Sequence, residues 1–225
     1  MLDSLFSTFA PHYCLSCGRF GRQICDYCFY DIELSIRETC MVCHRLLQRQ
    51  QCRTCRNLHR VRQIVLGERE GILERMMDEY KFACRRETHR VFAQLLDVHM
   101  PHFPAGSQIV PIPTAPSHIR RRGFDHTRDI YKRFATTREL AYAPLLSRLH
   151  NDAQFGATAA QRRYQAARAF KMRADEIDRG AHYLLCDDIV TTGASMSAGV
   201  KLLREAGAQH ITVVALLQQP WKNQK

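Results

Sequence analysis

A chain of 225 residues and 26.1 kDa, with 45% hydrophobic and 24% charged residues, is long enough for one ordinary domain plus a small module, and this composition excludes wholesale disorder. No run approaches the roughly 18 consecutive apolar residues of a membrane helix, and the first ten residues lack the basic start of a secretory signal, so we expect a cytoplasmic protein without membrane insertion. The net charge is +11, and Arg supplies 27 of the 33 basic side chains, which favours contact with phosphate or nucleic acid unless it reflects only genomic base composition.

Eight of the ten cysteines lie in four Cys-x-x-Cys pairs within the first 55 residues. Two pairs separated by seven residues are followed, after a spacer, by two pairs separated by eight, so the segment repeats one short unit. Four thiolates complete a tetrahedral shell for one Zn²⁺, and metal binding would supply the folding free energy of so small a unit. The predicted ligands of two structural zinc sites are Cys14, Cys17, Cys25 and Cys28, and then Cys40, Cys43, Cys52 and Cys55.

Other interpretations of these cysteines stay open at this point. A disulfide cluster is typical of secreted proteins, and a redox Cys-x-x-Cys motif does not account for four pairs in a repeat. Pairing within each unit is preferred, but an interleaved pairing of the first pair with the third, and the second with the fourth, supplies the same number of ligands. Cys84 and Cys186 lie outside the pattern and are predicted to be buried small hydrophobic residues.

The rest of the chain alternates predicted strands with predicted helices. Apolar runs predict strands at 62–67, 108–112, 145–149, 182–186 and 210–217, and helical spacing of apolar residues predicts helices at 71–83, 87–100, 125–134, 158–170 and 194–206. Strands that alternate with helices favour parallel pairing with helices on both faces of the sheet. The sequence therefore predicts an α/β domain.

The most specific chemical pattern is the run from Leu184 to Ser195, LLCDDIVTTGAS, in which an apolar strand ends at two acids and a helix follows. Ligands of open α/β sheets bind at the carboxyl ends of strands. Asp187 and Asp188 would repel a phosphate, so we expect them to hold ribose hydroxyls unless they only cap the helix. Backbone amides and hydroxyls at the start of the helix can cradle a 5′-phosphate; these residues are Thr191, Thr192, Gly193, Ala194 and Ser195.

This run resembles the phosphoribosyl pyrophosphate (PRPP) signature of type I phosphoribosyltransferases, and the whole chain resembles the ComF/GntX family. In that family a double zinc ribbon precedes a phosphoribosyltransferase-like domain. The resemblance also covers the Cys-x-x-Cys pairs and the segments 80–82, 110–113, 120–124 and 161–163. It implies a type I phosphoribosyltransferase-like, mostly parallel sheet flanked by helices at 61–225, preceded by a small double zinc-ribbon module at 1–60.

The resemblance further implies a role for each site residue. Asp187 and Asp188 would hold the ribose hydroxyls of PRPP, and residues 191–195 its 5′-phosphate. The pyrophosphate would lie at the turn formed by Pro111, Ile112 and Pro113, with Mg²⁺ bridging pyrophosphate and ribose oxygens. The implied reaction transfers the 5-phosphoribosyl group with loss of pyrophosphate, whose departing charge would be stabilised by Arg120, Arg121 and Arg122. Such an Arg run is equally typical of a solvated basic surface.

The chain departs from the family pattern at one motif. Asp125 and His126 stand where Asn-Gln is expected after Gly-Phe. If the family pair contacts the substrate, this chain need not take the same substrate. The residues identify no acceptor, and they do not decide between turnover and a pocket that only binds.

Nucleic-acid binding is a second class of function that fits the charge pattern. Residues 111–179 hold 14 basic and 7 acidic side chains, and Phe124, Tyr131 and Phe134 lie nearby as candidate stacking residues for single-stranded DNA. The family resemblance likewise implies a role in DNA uptake or use. A third possibility is a scaffold whose zinc module docks a protein partner.

Overall fold

The computed structural model describes residues 13–41, 45–47, 61–149, 169–174 and 176–220. Numbered in chain order, its elements are α1 (Asp26–Tyr30), β1 (Arg37–Cys40), β2 (Arg62–Glu68), α2 (Gly71–Phe82), α3 (Thr88–His99), β3 (Gln108–Pro111), α4 (Pro116–Arg122), α5 (His126–Thr137), β4 (Ala141–Tyr142), β5 (Leu146–Arg148), β6 (Phe170–Met172), β7 (His182–Val190), α6 (Ala194–Glu205) and β8 (His210–Gln218). Within this part of the chain no helix is both long and apolar enough to cross a bilayer.

The predicted strands and helices are confirmed at nine of ten places, with ends that differ by a few residues. The tenth, the helix predicted at 158–170, lies outside the described residues except at its last two positions. There Phe170 begins strand β6, which pairs with β5 in a separate two-stranded antiparallel sheet, so the predicted end of that helix is wrong. Segment 161–163 also lies outside the described residues.

Six strands form the main sheet in the order β1-β2-β8-β7-β3-β4, and every neighbouring pair is parallel except β1 with β2. The central strands β7 and β8 read as nearly continuous apolar runs because helices cover both of their faces. One face packs against α2, α3 and α5, and the other against α6, through Met76, Phe92 and Tyr131 on the first side and Met196, Val200 and Leu203 on the second. The predicted fold class, a mostly parallel sheet flanked by helices, is confirmed.

The pairing of β3 with β7 brings two distant segments to one edge of the sheet. Pro111 lies opposite Cys186 in the parallel register, and the Ile112 amide donates to the Cys186 carbonyl at 2.7 Å. Both strands run in the same direction, so the turn after β3 and the residues that follow Cys186 meet at the carboxyl edge. Helix α6 packs closely beneath this edge, since a Cβ on Gly199 would lie 2.9 Å from Leu185 Cδ2.

The cysteine-rich segment is packed against the α/β domain. Strand β1, from before residue 60, extends the main sheet as its antiparallel edge strand. Ile24 and Phe29 belong to the same buried cluster as the residues of α3, and the Thr88 hydroxyl donates to Gln23 Oε1 at 2.7 Å. The boundary at 60/61 stays a prediction, but residues on its two sides share a sheet and a core.

Removing the hydroxyl of Tyr131 tests how firmly α5 is tied to the sheet. The buried phenol donates to the carbonyl of Asp187 at 2.8 Å, with the carbonyl of Val214 at 3.3 Å. Because the substitution leaves a buried carbonyl without this donor, we expect Tyr131→Phe to lower the free energy of unfolding by about 1 kcal/mol in urea titrations. Tyr30→Phe, whose ring is 78% exposed, is the matched control and should cost nothing measurable; equal effects of the two changes would contradict the assignment.

Candidate functional site

The structure brings together the four cysteines of the first predicted zinc unit. The sulfur atoms of Cys14, Cys17, Cys25 and Cys28 all lie within 4.8 Å of one another. Burial acts to raise the pKa of Cys14, but hydrogen bonds from the backbone of Cys17 and Cys25 lower it to about 6. Four thiols at this spacing, one of them already disposed to ionise, fit a tetrahedral zinc site.

The grouping agrees with pairing inside the first unit. No disulfide forms among the described cysteines, and Cys40 lies on β1 outside the cluster. Cys43, Cys52 and Cys55 lie outside the described residues, so the second zinc unit stays a prediction. Of the two remaining cysteines, Cys186 is buried as predicted.

The prediction that Cys84 is buried is wrong. Cys84 is exposed in the turn after α2, where its backbone has a positive φ of 54°. The helix ends at Phe82. Cys84 therefore does not lie on the apolar face with which the helix packs into the core.

The prediction that β7 ends at its two acids is also corrected. The strand continues to Val190, because β8 pairs with it as far as Val190 opposite Gln218. Asp187 and Asp188 therefore lie inside a hydrogen-bonded strand rather than at the point where it ends. Only residues 191–193 separate the strand from α6.

The short turn after β7 has the form expected of a phosphate cradle. Thr191 and Thr192 are exposed, and Ala194 and Ser195 open α6. Gly193 adopts the left-handed conformation with a φ of 69°, which a residue with a side chain adopts only under strain. The free amide groups in the first turn of α6 and the neighbouring hydroxyls can together bind an anion.

Asp188 is the centre of a buried charge network. Its Oδ2 atom contacts the Lys81 ammonium and lies 2.7 Å from Nε2 of His126, and all three side chains are at most 12% exposed. Burial alone would raise the pKa of Asp188, but Lys81 and His126 hold it well below its usual range. The Arg122 guanidinium lies 2.8 Å from Nδ1 of His126. Since a guanidinium can only donate, Nδ1 accepts and Nε2 carries the proton that faces Asp188.

Asp187 has a different environment. Its side chain is half-buried, and Oδ1 accepts from the amide of Asp188 at 2.9 Å. Burial, and then the charge of Asp188, raise the pKa of Asp187 well above its ordinary value. Two adjacent carboxyls with pKa values displaced in opposite directions mark a candidate functional site.

The turn after β3 is held by α5. Pro111 ends the strand, and Ile112 and Pro113 follow it at the same edge as the acids. The Thr114 hydroxyl donates to Oδ1 of Asp125 at 2.8 Å, and the same carboxylate accepts from the Arg128 amide to cap α5. Asp125 therefore ties the predicted pyrophosphate turn to the helix that carries His126.

The three predicted catalytic arginines do not share one environment. All lie on α4, where Arg120 and Arg121 are exposed. Arg122 is only 9% exposed, with its guanidinium 5.9 Å from the centre of the Phe82 ring, and burial lowers its pKa. The catalytic role of the three stays a prediction, and only the first two have side chains at the surface.

Sequence reasoning missed one member of the site and misjudged the aromatic residues. The resemblance covers Lys81 within segment 80–82 without giving it a role, although lysine is rare in this Arg-rich chain. His126 stands out in the sequence as a departure from the family pattern, and the structure brings it against Asp188. The expectation that nearby aromatic rings stack on DNA bases is wrong, because the three rings are buried in the core: Phe124, Tyr131 and Phe134.

Comparison with known proteins gives one family model and several relatives. Residues 119–225 match the model of the phosphoribosyl transferase domain. The competence protein ComFC of Streptococcus pneumoniae is 25% identical over 206 residues, which cover 87% of both chains. An adenine phosphoribosyltransferase of Nitrosomonas europaea is 38% identical over 50 residues, 22% of this chain and 29% of that protein. The chain thus matches less than a third of that enzyme's length.

Among solved structures, the adenine phosphoribosyl transferase of Trypanosoma brucei, in complex with AMP, pyrophosphate and ribose-5-phosphate, is similar with a TM-score of 0.44. Its sequence identity is 13%, over 69% of this chain and 71% of that one.

Replacing one clustered cysteine tests the zinc site. We expect Cys25→Ser to lose about one equivalent of bound zinc and to lower the melting temperature of the whole chain, because the cluster is packed into the shared core. The measurement is metal content by atomic emission together with thermal unfolding. Cys84→Ser, at an exposed thiol outside the cluster, should retain both properties; full zinc content in Cys25→Ser would refute the site.

Proposed function

We propose that this homologue of ComFC, which carries a phosphoribosyl transferase domain, binds PRPP with Mg²⁺ and transfers its 5-phosphoribosyl group with loss of pyrophosphate. The observation that carries the proposal is the parallel pairing of β3 with β7. Because of this pairing, one edge of the sheet holds the Pro111–Pro113 turn, the two acids and residues 191–195. One ligand that has a pyrophosphate, a ribose and a 5′-phosphate matches this sequence of sites.

Each part of the edge suits one part of that ligand. The left-handed turn at Gly193 and the first amides of α6 suit the 5′-phosphate. Asp187 is half-buried, and in the described ion pairs Lys81 and His126 contact Asp188 rather than Asp187. The carboxylate of Asp187 therefore suits the ribose hydroxyls as an acceptor. Carboxylate oxygens also suit Mg²⁺, which when bound supplies positive charge to the polyanion. Exposed Arg120 and Arg121 can add charge beside the leaving pyrophosphate.

The likeness to a protein named for competence supports a proposed role in the use of DNA. We propose that the reaction serves nucleotide metabolism linked to DNA taken up by the cell and takes place in the cytoplasm. The acceptor would be a nucleophile presented at the open side of the ribose.

Binding of single-stranded DNA is a second candidate function, favoured by exposed aromatic rings on the first zinc unit. Tyr13 and Phe20 are 53% and 69% exposed and pack edge to face at 5.8 Å, and Tyr27 and Tyr30 are also exposed. Such rings can stack on bases, and nearby Arg19 can contact phosphates. Binding of this kind weakens steeply with salt, whereas binding at the sheet edge depends on Asp187.

Calorimetric titration of PRPP, with Mg²⁺ present, into the zinc-loaded protein tests the first proposal. We expect Asp187→Asn to weaken binding by about ten- to a hundredfold, because a charge-assisted acceptor is lost. Asp26→Asn, at a 78% exposed carboxylate of the zinc unit, is the control and should bind as the wild type does. A folded, zinc-loaded wild type that binds no PRPP would overturn the proposal.

The raised pKa of Asp187 predicts how binding depends on pH. At acidic pH a carboxyl with a raised pKa is protonated and loses acceptor capacity, so affinity should rise with pH above the ordinary carboxyl value of about 3.9. Asp187→Asn does not titrate and should lack this contribution. Titration of ribose 5-phosphate into both proteins over a pH series isolates the effect, because the ligand's own ionisation is common to both. Parallel pH profiles would contradict the assignment.

A further inference from the structure

Lys81 lies where the predicted ribose site and the predicted pyrophosphate turn meet. It lies in the last turn of α2, and its ammonium contacts Oδ2 of Asp188. His126 contacts the same oxygen of Asp188 and begins α5. It directly follows Asp125, which accepts from the Thr114 hydroxyl of the turn. A lysine at this position has a flexible stem and three donors, and it lies at the edge that a polyanionic ligand would approach.

Both oxygens of Asp188 are already engaged within the chain. Oδ1 accepts from the Ile189 amide at 2.7 Å, and Oδ2 faces Lys81 and His126 together. With its side chain 9% exposed, this carboxylate has little room for a sugar hydroxyl. Its contacts instead hold the charged end of Lys81 in place while the site is free.

We propose that Lys81 is an anion-binding residue of the phosphoribosyl site, whose ammonium moves from Asp188 to the pyrophosphate group of the ligand. This inference rests on the proposed function. Asp188 is then a positioning residue that holds the Lys81 ammonium by an ion pair in the free protein. Of the two acids, only Asp187 contacts the ribose hydroxyls.

The second partner of Asp188 makes this exchange feasible. A buried carboxylate that loses its only partner is strongly destabilised. When Lys81 leaves, Nε2 of His126 still faces Oδ2 at 2.7 Å, and Arg122 keeps the ring oriented through Nδ1 at 2.8 Å. His126 is therefore a positioning residue. A glutamine at this place could offer one donor to Asp188 and one acceptor to Arg122 in the same way.

Two separate probes test Lys81, namely inorganic pyrophosphate and ribose 5-phosphate, each titrated calorimetrically with Mg²⁺ present. We expect Lys81→Met to weaken pyrophosphate binding about ten- to a hundredfold and to retain ribose 5-phosphate binding. Unchanged pyrophosphate affinity in Lys81→Met would overturn the inference while leaving the proposed function intact. A wild type that binds neither probe would overturn the proposed function itself and the inference with it.

A double variant separates ligand binding from structural support. Lys81→Met leaves Asp188 with one partner and should lower the melting temperature; Lys81→Met combined with Asp188→Asn removes the uncompensated charge and should restore it. Pyrophosphate affinity should stay low in the double variant. If affinity returns together with the melting temperature, Lys81 is only a structural residue and the inference is wrong.

The role of His126 has its own test with the same probe. His126→Ala should weaken pyrophosphate binding. In this variant, movement of Lys81 to the ligand would leave Oδ2 of the buried Asp188 carboxylate without either of its two partners. His126→Gln should recover most of the lost affinity, since the amide supplies a donor to Asp188. An alanine variant that binds pyrophosphate as tightly as the wild type would refute this role.

Discussion

The carboxylate of Asp188 is buried within the central strand β7, and an ionised group there requires compensation by positive charge and donors. Lys81 at the end of α2 and His126 at the start of α5 supply it, and Arg122 on α4 orients the imidazole. One buried charge therefore fixes three helices relative to β7. Because unpaired buried charge is so costly, this network favours a single arrangement of these elements.

The same constraint explains why two adjacent acids can have different roles. Lys81 and His126 keep Asp188 ionised, whereas burial beside that negative charge raises the pKa of Asp187. The more exposed Asp187 is therefore the acid that solvent reaches and that the proposed ligand would meet first. Its carbonyl is anchored by Tyr131, so the backbone at this position is fixed from the core side.

The cysteine cluster packs into the same hydrophobic core as the helices around Asp188. Ile24 and Phe29, next to two of its cysteines, share the core with α3, and β1 completes one edge of the main sheet. Ion pairs between β1 and β2, Arg62 with Glu38 and Arg37 with Glu68, reinforce that edge. Free energy released by metal binding would therefore stabilise the α/β domain as well as the cysteine cluster itself.

Local patterns in the sequence determined most of the elements and the two chemical motifs of this protein. Apolar periodicity is a property of neighbouring residues, so it predicted four of the six strands in the described main sheet and the four helices packed on them, but not the short edge strands β1 and β4. The spacing of Cys14 to Cys28 predicted their cluster. Tertiary structure alone decided the rest. Pairing with β8 carried β7 past its acids to Val190, and packing buried Phe124 while it left Cys84 at the surface. Lys81 meets Asp188 although the two are far apart in sequence, because burial and charge pairing depend on which surfaces come together, and no local pattern encodes that.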